Sequence, residues 1–163
     1  GYPCSGKRWQ NDFCVYWFSL GRIGNNMNTF EAIELMRSWG YGLKPEQVQG
    51  FNIYFHHMKR IGRVGVIEDN GVSEAIFFFY LTCNYKDLYK KSTWYVAQDD
   101  VYGNQVYIDK MICRSWNLSI RRKIQDWIEE RFPNVTEGYY HRAPYDRCVR
   151  INRRNRLCLS VAY

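Results

Sequence analysis

Three histidines, His56, His57 and His141, share this chain with an arginine-dense C-terminal region and six dispersed cysteines. These residue types suit metal-free cleavage of RNA. Attack by the 2′-hydroxyl needs a general base, a general acid and cations for the pentacovalent phosphate. A His pair or a Glu/His pair supplies the first two, and arginine supplies the third through its bidentate fork. The parts available are His56 or His57, His141, Glu68, Arg142, Arg147 and Arg150, and the candidate catalytic set is His57, His141, Glu68 and Arg142. Their spacing does not show that they converge. A second chemistry takes Cys14 as nucleophile with His56 or His57 as base, as in Cys–His amidases. An even cysteine count argues that Cys14 is half of a disulfide instead. No metal or cofactor is expected. No cysteine pair has Cys-x-x-Cys spacing, and the histidines and carboxylates show no ligand pattern. The glycines of Gly21-Arg-Ile-Gly24 and Ile61-Gly-Arg-Val-Gly65 read as turn and strand glycines rather than a phosphate loop.

Binding is the other chemistry on offer. The net charge is +7, and residues 142–156 hold six Arg and one Asp, so most of the excess sits in one short stretch. Such a patch suits nucleic acid, an acidic polysaccharide, an anionic membrane or an acidic protein. Arg147, Arg150, Arg153, Arg154 and Arg156 are interleaved with Asn152 and Asn155, a mixture suited to phosphates and exposed base edges. Tyr139, Tyr140 and Tyr145 lie close enough in sequence to stack on bases. The same stretch would equally dock an acidic protein surface, so the expected partner is a protein or RNA.

The elements that must position these residues read as one domain over 1–163, because no repeat and no Pro-, Gly- or Ser-rich linker interrupts the chain. Residues 1–27 look irregular, with a short strand at Phe13–Phe18. Asn28 caps a helix with Glu31 as its capping-box partner, Phe30, Ile33, Met36 and Trp39 recur at helical spacing, and Gly40 stops it. Phe51–Met58 reads as a strand, which would send His56 and His57 to opposite faces. Arg63–Asp69, Asn70-Gly71 and Val72–Cys83 form a hairpin, since Asn-Gly is the favoured type I′ turn. The apolar run Ala75–Leu81 is the middle of the sheet. Thr93–Gln98 and Gln105–Cys113 pair around Gly103-Asn104. A second helix covers Trp116–Phe132, with Ile120, Ile124, Trp127, Ile128 and Phe132 as its apolar stripe. Strands follow near 138–142, 147–151 and 156–161, and the last two form a hairpin with the arginines at its tip. The sum is α+β: an antiparallel sheet with two packed helices. No apolar run reaches the ~18 residues of a membrane span.

Cys4, Cys14, Cys83, Cys113, Cys148 and Cys158 are even in number and dispersed, which reads as three disulfides in an oxidising compartment. Six cysteines allow fifteen pairings. One arrangement joins Cys148 to Cys158 across the C-terminal hairpin, Cys83 to Cys113 and Cys4 to Cys14; a rival joins Cys4 to Cys158. The sequons Asn117-Leu-Ser119 and Asn134-Val-Thr136 agree with a secretory route. A start at Gly1 reads as a mature chain whose leader has been removed.

Tyr2-Pro3-Cys4 resembles the Tyr-x-Cys motif that follows the signal peptide in many secreted effectors of powdery mildew and rust fungi. Many of those resemble small fungal ribonucleases, with one helix on an antiparallel sheet and the motif's cysteine paired near the C-terminus. The resemblance therefore implies a Cys4–Cys158 link. Gly138-Tyr-Tyr-His141, followed by an Arg-rich segment, is similar to a strand of microbial ribonucleases. The chain is longer than such effectors, and its 116–132 helix has no counterpart in them. Because those effectors often keep the fold and lose the catalytic residues, the resemblance implies virulence-type binding. The expectation is a secreted, disulfide-stabilised, monomeric protein that grips a host macromolecule through its basic C-terminal surface, with ribonuclease and amidase as alternatives.

Overall fold

The computed structural model describes residues 27–89, 92–142 and 145–153. Two helices come first, α1 (Thr29–Ser38) and α2 (Pro45–Arg60), then strands β1 (Val64–Asp69) and β2 (Val72–Thr82). A single 3-10 turn at Tyr85–Leu88 opens a long connection to β3 (Gln105–Cys113). Helix α3 (Leu118–Arg131) then leads to β4 (Glu137–Arg142) and β5 (Tyr145–Arg150). The strands form one sheet in the order β1-β2-β3-β4-β5. Every neighbouring pair is antiparallel except β3 and β4, which are parallel. The sheet is therefore mixed rather than antiparallel, and among the described residues three helices pack on it rather than two. A parallel pair requires a crossover, and α3 supplies it.

Local chemistry explains most boundaries. Asn28 accepts the Glu31 amide and Glu31 accepts the Asn28 amide, so the capping box is formed. Gly40 follows α1 as expected, and the Gly40 and Tyr41 amides donate to Arg37 and Met36 in a Schellman closure. Asn70 and Gly71 both take positive φ, as the type I′ turn between β1 and β2 demands. Asn117 caps α3 by accepting the Ile120 amide.

The segment read as a strand at Phe51–Met58 is the second half of α2. Aromatic richness favoured the strand. Phe51, Tyr54, Phe55 and Met58 are buried, however, and their spacing is helical, whereas Ile53 between them is exposed. Pro45 opens the helix, and Gly62, at φ +73°, closes it in a conformation costly to any residue with a Cβ. Thr93–Gln98 forms no strand either. The partner of β3 is β2, with Leu81 opposite Val106 and Thr82 opposite Gln105.

β2 is buried on both faces, which is why Ala75–Leu81 is apolar without alternation. Ile76, Phe78 and Tyr80 pack with α1 and α2. Ala75, Phe77, Phe79 and Leu81 pack with Ile120, Ile124 and Ile128 of α3. The long connection is held down by a buried ion pair. Arg63 Nε and Nη2 donate to the two carboxylate oxygens of Asp99 at 2.9 Å each, and the Leu81 amide donates to Asp99 Oδ1 at 2.8 Å.

The cysteines do not follow the expected map. Cys83, Cys113 and Cys148 are free thiols. Cys83 lies just past the Thr82–Gln105 end of the β2–β3 ladder, and Cys113 pairs with Ala75 at the other end. At ~3.3 Å per residue the two are about 26 Å apart, well beyond the ~7 Å that a disulfide spans. Cys148 sits on β5 opposite Tyr139 of β4 as a free, exposed thiol. Cys4, Cys14 and Cys158 lie outside the described residues, as do the 13–18 and 156–161 strands. Among the described residues no helix is long and apolar enough to cross a membrane.

Candidate binding crevice and arginine–aromatic strip

The β4–β5 ladder sorts its side chains by parity. Tyr140 pairs with Arg147 and Arg142 with Tyr145, while Tyr139 pairs with Cys148, His141 with Asp146 and Glu137 with Arg150. Tyr140 meets Trp116, the residue before the α3 cap, with ring centroids 6.4 Å apart. Arg142 lies 5.8 Å over the Trp116 ring, and Arg147 lies 5.9 Å over Tyr145. The α3 side of this hairpin thus presents Tyr140, Arg142, Tyr145 and Arg147 beside Trp116, with no carboxylate among them. Tyr145 is 65% exposed. The acids Glu137 and Asp146 fall on the opposite face.

Tyr139, grouped with Tyr140 in the sequence reading, also points to that opposite face. It stacks on Tyr85 at 3.9 Å, and burial followed by the Cys148 thiol pushes its phenol pKa up. Arg150 lies opposite Glu137, away from the strip. The hairpin predicted for 147–151 and 156–161 lies partly outside the described residues, and what is described at its start is an anchor. Ile151 and Asn152 are buried, the Asn152 amide donates to Glu129, and its side chain donates to the Phe132 and Val135 carbonyls. Arg153 is exposed beyond this anchor, and Arg154 and Arg156 lie outside the described residues.

His141 stands on the acidic face of β4. Its Nδ1 lies 3.0 Å from Asp146 Oδ1 and 3.2 Å from the Tyr89 hydroxyl. A carboxylate accepting Nδ1–H leaves Nε2 of the neutral ring free to take a proton. His57 does not join it. Arg60 donates to His57 Nδ1 at 3.0 Å, which leaves the proton of the neutral ring on a buried Nε2. Burial, and then the Arg60 charge, push the His57 pKa down. His57 sits on the last turns of α2, which lead into β1, and Glu68 lies on β1 itself. β1 and β4 are three strand positions apart, about 14 Å at ~4.8 Å per step. Of the proposed catalytic set, only His141 and Arg142 are neighbours. His56 is on the exposed side of α2, with Nε2 3.3 Å from the Thr29 hydroxyl, and Cys14 lies outside the described residues.

Sequence reasoning passed over a crevice beside the strip. β3 and β4 are paired only from Gln105–Glu137 to Ile108–Tyr140, yet β3 continues to Cys113 and β4 to Arg142. The strands part where β3 carries a bulge, against Phe78 and Phe79. A cleft of about 150 Å³ opens there, lined by Ile108, Asp109, Met111, Trp116, Arg121, Ile124, Tyr140 and His141. Crevices beyond the carboxyl ends of parallel strands are the usual ligand sites of such sheets, and bulges gather beside functional sites. Asp109 accepts the Tyr54 hydroxyl at 2.6 Å, and burial raises its carboxyl pKa against the opposing pull of Lys110 and Tyr54. Arg121 Nε is buried with no hydrogen-bond partner among the described residues. A lone acid in the strand Val106-Tyr-Ile-Asp-Lys-Met111 was the one sequence signal for this site. Among the described residues, no group of three His, Cys, Asp or Glu side chains could hold a metal ion.

No protein-family model, no curated protein and no solved structure matches this chain.

Proposed function

We propose that this protein binds single-stranded RNA of a host through the strip formed by Trp116, Tyr140, Arg142, Tyr145 and Arg147. The supporting observation is the parity of the β4–β5 ladder, which gathers aromatic and guanidinium groups on one face and sends Glu137 and Asp146 to the other. Aromatic platforms stack on unpaired bases of any sequence, and arginines track the phosphates. Tyr2-Pro3-Cys4 and the two sequons support a secreted, host-directed setting for this binding.

The test is a fluorescent single-stranded RNA titrated at two salt concentrations. Each phosphate contact contributes a log–log slope of about −0.7. Arg147→Glu should flatten the slope by about that amount, and Tyr145→Ala should weaken binding at both salts. RNA binding that ignores both substitutions overturns the assignment. No RNA binding, together with a partner protein lost on Arg147→Glu, would make the strip a protein-docking surface. A second reading, cleavage of the bound RNA, is motivated by His141, which pairs with Asp146 on the opposite face of the hairpin and lines the crevice next to Trp116 and Tyr140. It requires a product on a gel that His141→Ala abolishes.

A further inference from the structure

The sheet ends in two different edges. β1, at one end, carries a bulge between Ile67 and Glu68. Bulges, prolines and lysines are the usual devices that keep an edge strand from pairing with another chain. β5, at the other end, has none of them. Its register against β4 is unbroken from Tyr145 to Arg150, and all of its residues except Val149 are exposed.

One bond fixes which backbone groups of β5 face outward. The Ile151 amide donates to the Thr136 carbonyl at 3.0 Å. Bonded and non-bonded pairs alternate along an antiparallel ladder. Tyr145, Arg147 and Val149 therefore bond inward to β4, and Asp146, Cys148 and Arg150 turn their amides and carbonyls to the open edge. Among the described residues the one bond to these outward groups is from Gln125 Nε2 to the Arg150 carbonyl at 3.2 Å, and that oxygen keeps a second lone pair.

A second copy of the chain supplies a matching strand, and the charges select its register. Antiparallel pairing sets outward residues opposite outward residues, so a self-complementary contact has few registers. A twofold axis at position 146, 147 or 150 sets a charge directly against itself, which is destabilising. An axis at 149 leaves Asp146 opposite Asn152, without a cation. An axis at Cys148 sets Asp146 opposite the second copy's Arg150, twice by symmetry. The Arg150 side chain has no ion pair among the described residues. Asp146 holds His141 through Oδ1, and a carboxylate accepts several donors at once. Arg147 then faces the second copy's Val149 and stays 5.9 Å over its own Tyr145.

We infer that β5 pairs antiparallel with β5 of a second copy about a twofold axis at Cys148, joining two five-stranded sheets into one through two Asp146–Arg150 pairs. The axis stands perpendicular to the sheet, so both copies turn Tyr145 and Arg147 to the same face. The pairing stands without the RNA reading.

The experiment is sedimentation equilibrium of the full chain, without RNA, over a series of concentrations. The mass should approach twice that of the chain as concentration rises. Asp146→Arg and Arg150→Asp should each raise the dimer dissociation constant by about 2- to 30-fold, the effect of losing two cross-strand charge pairs. Asp146→Arg/Arg150→Asp, which reverses both pairs, should return it to near the wild-type value, a rescue that misfolding cannot imitate. Bismaleimidoethane should join Cys148 to the second copy's Cys148, because the Cα atoms of a bonded pair lie about 5.5 Å apart. Cys148→Ser should remove that product. A chain that stays monomeric up to its solubility limit overturns the inference, and protection of the 146, 148 and 150 amides from hydrogen exchange in that monomer would give the edge to residues 154–163 instead. A dimer indifferent to both single charge reversals, or one that the double reversal fails to restore, overturns the pairing about Cys148.

Discussion

Replacing Asp99 with alanine should destabilise the protein more than almost any other single polar change. Asp99 and Arg63 have side chains only 9% and 11% exposed. The carboxylate accepts two guanidinium bonds at 2.9 Å and the Leu81 amide at 2.8 Å. Arg63 Cζ lies 5.8 Å from the Phe79 ring and 5.4 Å from Phe132, so aromatic faces limit any retreat of the guanidinium to water. Breaking a buried pair by removing one partner costs about 3–5 kcal/mol, because the other charge is left uncompensated. The orphaned Leu81 amide adds about 1 kcal/mol. For a domain of this size each kcal/mol moves Tm by about 2–4 °C, so the ion-pair loss alone predicts a fall of roughly 6–20 °C. The assay is urea denaturation followed by thermal melting, on Asp99→Ala and on Asp99→Leu/Arg63→Met. The double variant should recover most of the loss, since an apolar pair of similar volume removes the unpaired charge. A single-variant cost under ~1 kcal/mol, or a double variant as unstable as the single, would refute the reasoning.

Asp109 titrates in the opposite sense from a salt-bridged carboxylate. Burial raises its folded-state pKa, so its contribution to stability is full below the unfolded value of about 3.9 and is lost as pH rises through the folded value. Asp109→Asn should remove this fall, giving a flatter dependence of unfolding free energy on pH from about 4 upward. Denaturation at a series of pH values decides it, and an unchanged profile counts against a raised Asp109. Asn152→Ala should cost about 2–3 kcal/mol in urea denaturation. It leaves the Val135 carbonyl without its donor and the Phe132 carbonyl with the Val135 amide alone, and it places alanine at φ +57°. Loss of only a few tenths would mean the anchor is not formed. Cys83, Cys113 and Cys148 should be alkylated by iodoacetamide in the folded, unreduced protein, with the half-buried Cys113 slowest. Cys83 should react more slowly than its exposure suggests, because its bond to Asp100 pushes the thiol pKa up. Mass spectrometry showing any of the three in a disulfide would contradict the fold described above.

The local grammar of the chain was decisive by itself. The Asn28–Glu31 capping box, the Gly40 stop, the Asn70-Gly71 hairpin, the apolar run of β2 and the stripe of α3 depend on contacts a few residues apart, and all formed as read. Phe51–Met58 failed because a short aromatic stretch satisfies both a strand and a helix until its burial partners are known. Here those partners are Ile76, Phe78 and Tyr80, more than a dozen residues downstream. The site lay further out of reach. Arginine and tyrosine were visible near the C-terminus. Which of them share a face depends on the β4–β5 register, and one residue of slip would exchange Tyr140 for Tyr139. The parallel β3–β4 pairing, the bulge that parts those strands and the placing of Asp109 opposite Arg121 come from segments distant in sequence. Nothing local encodes them, because they are set only when both faces of β2 are covered and the crossover through α3 closes.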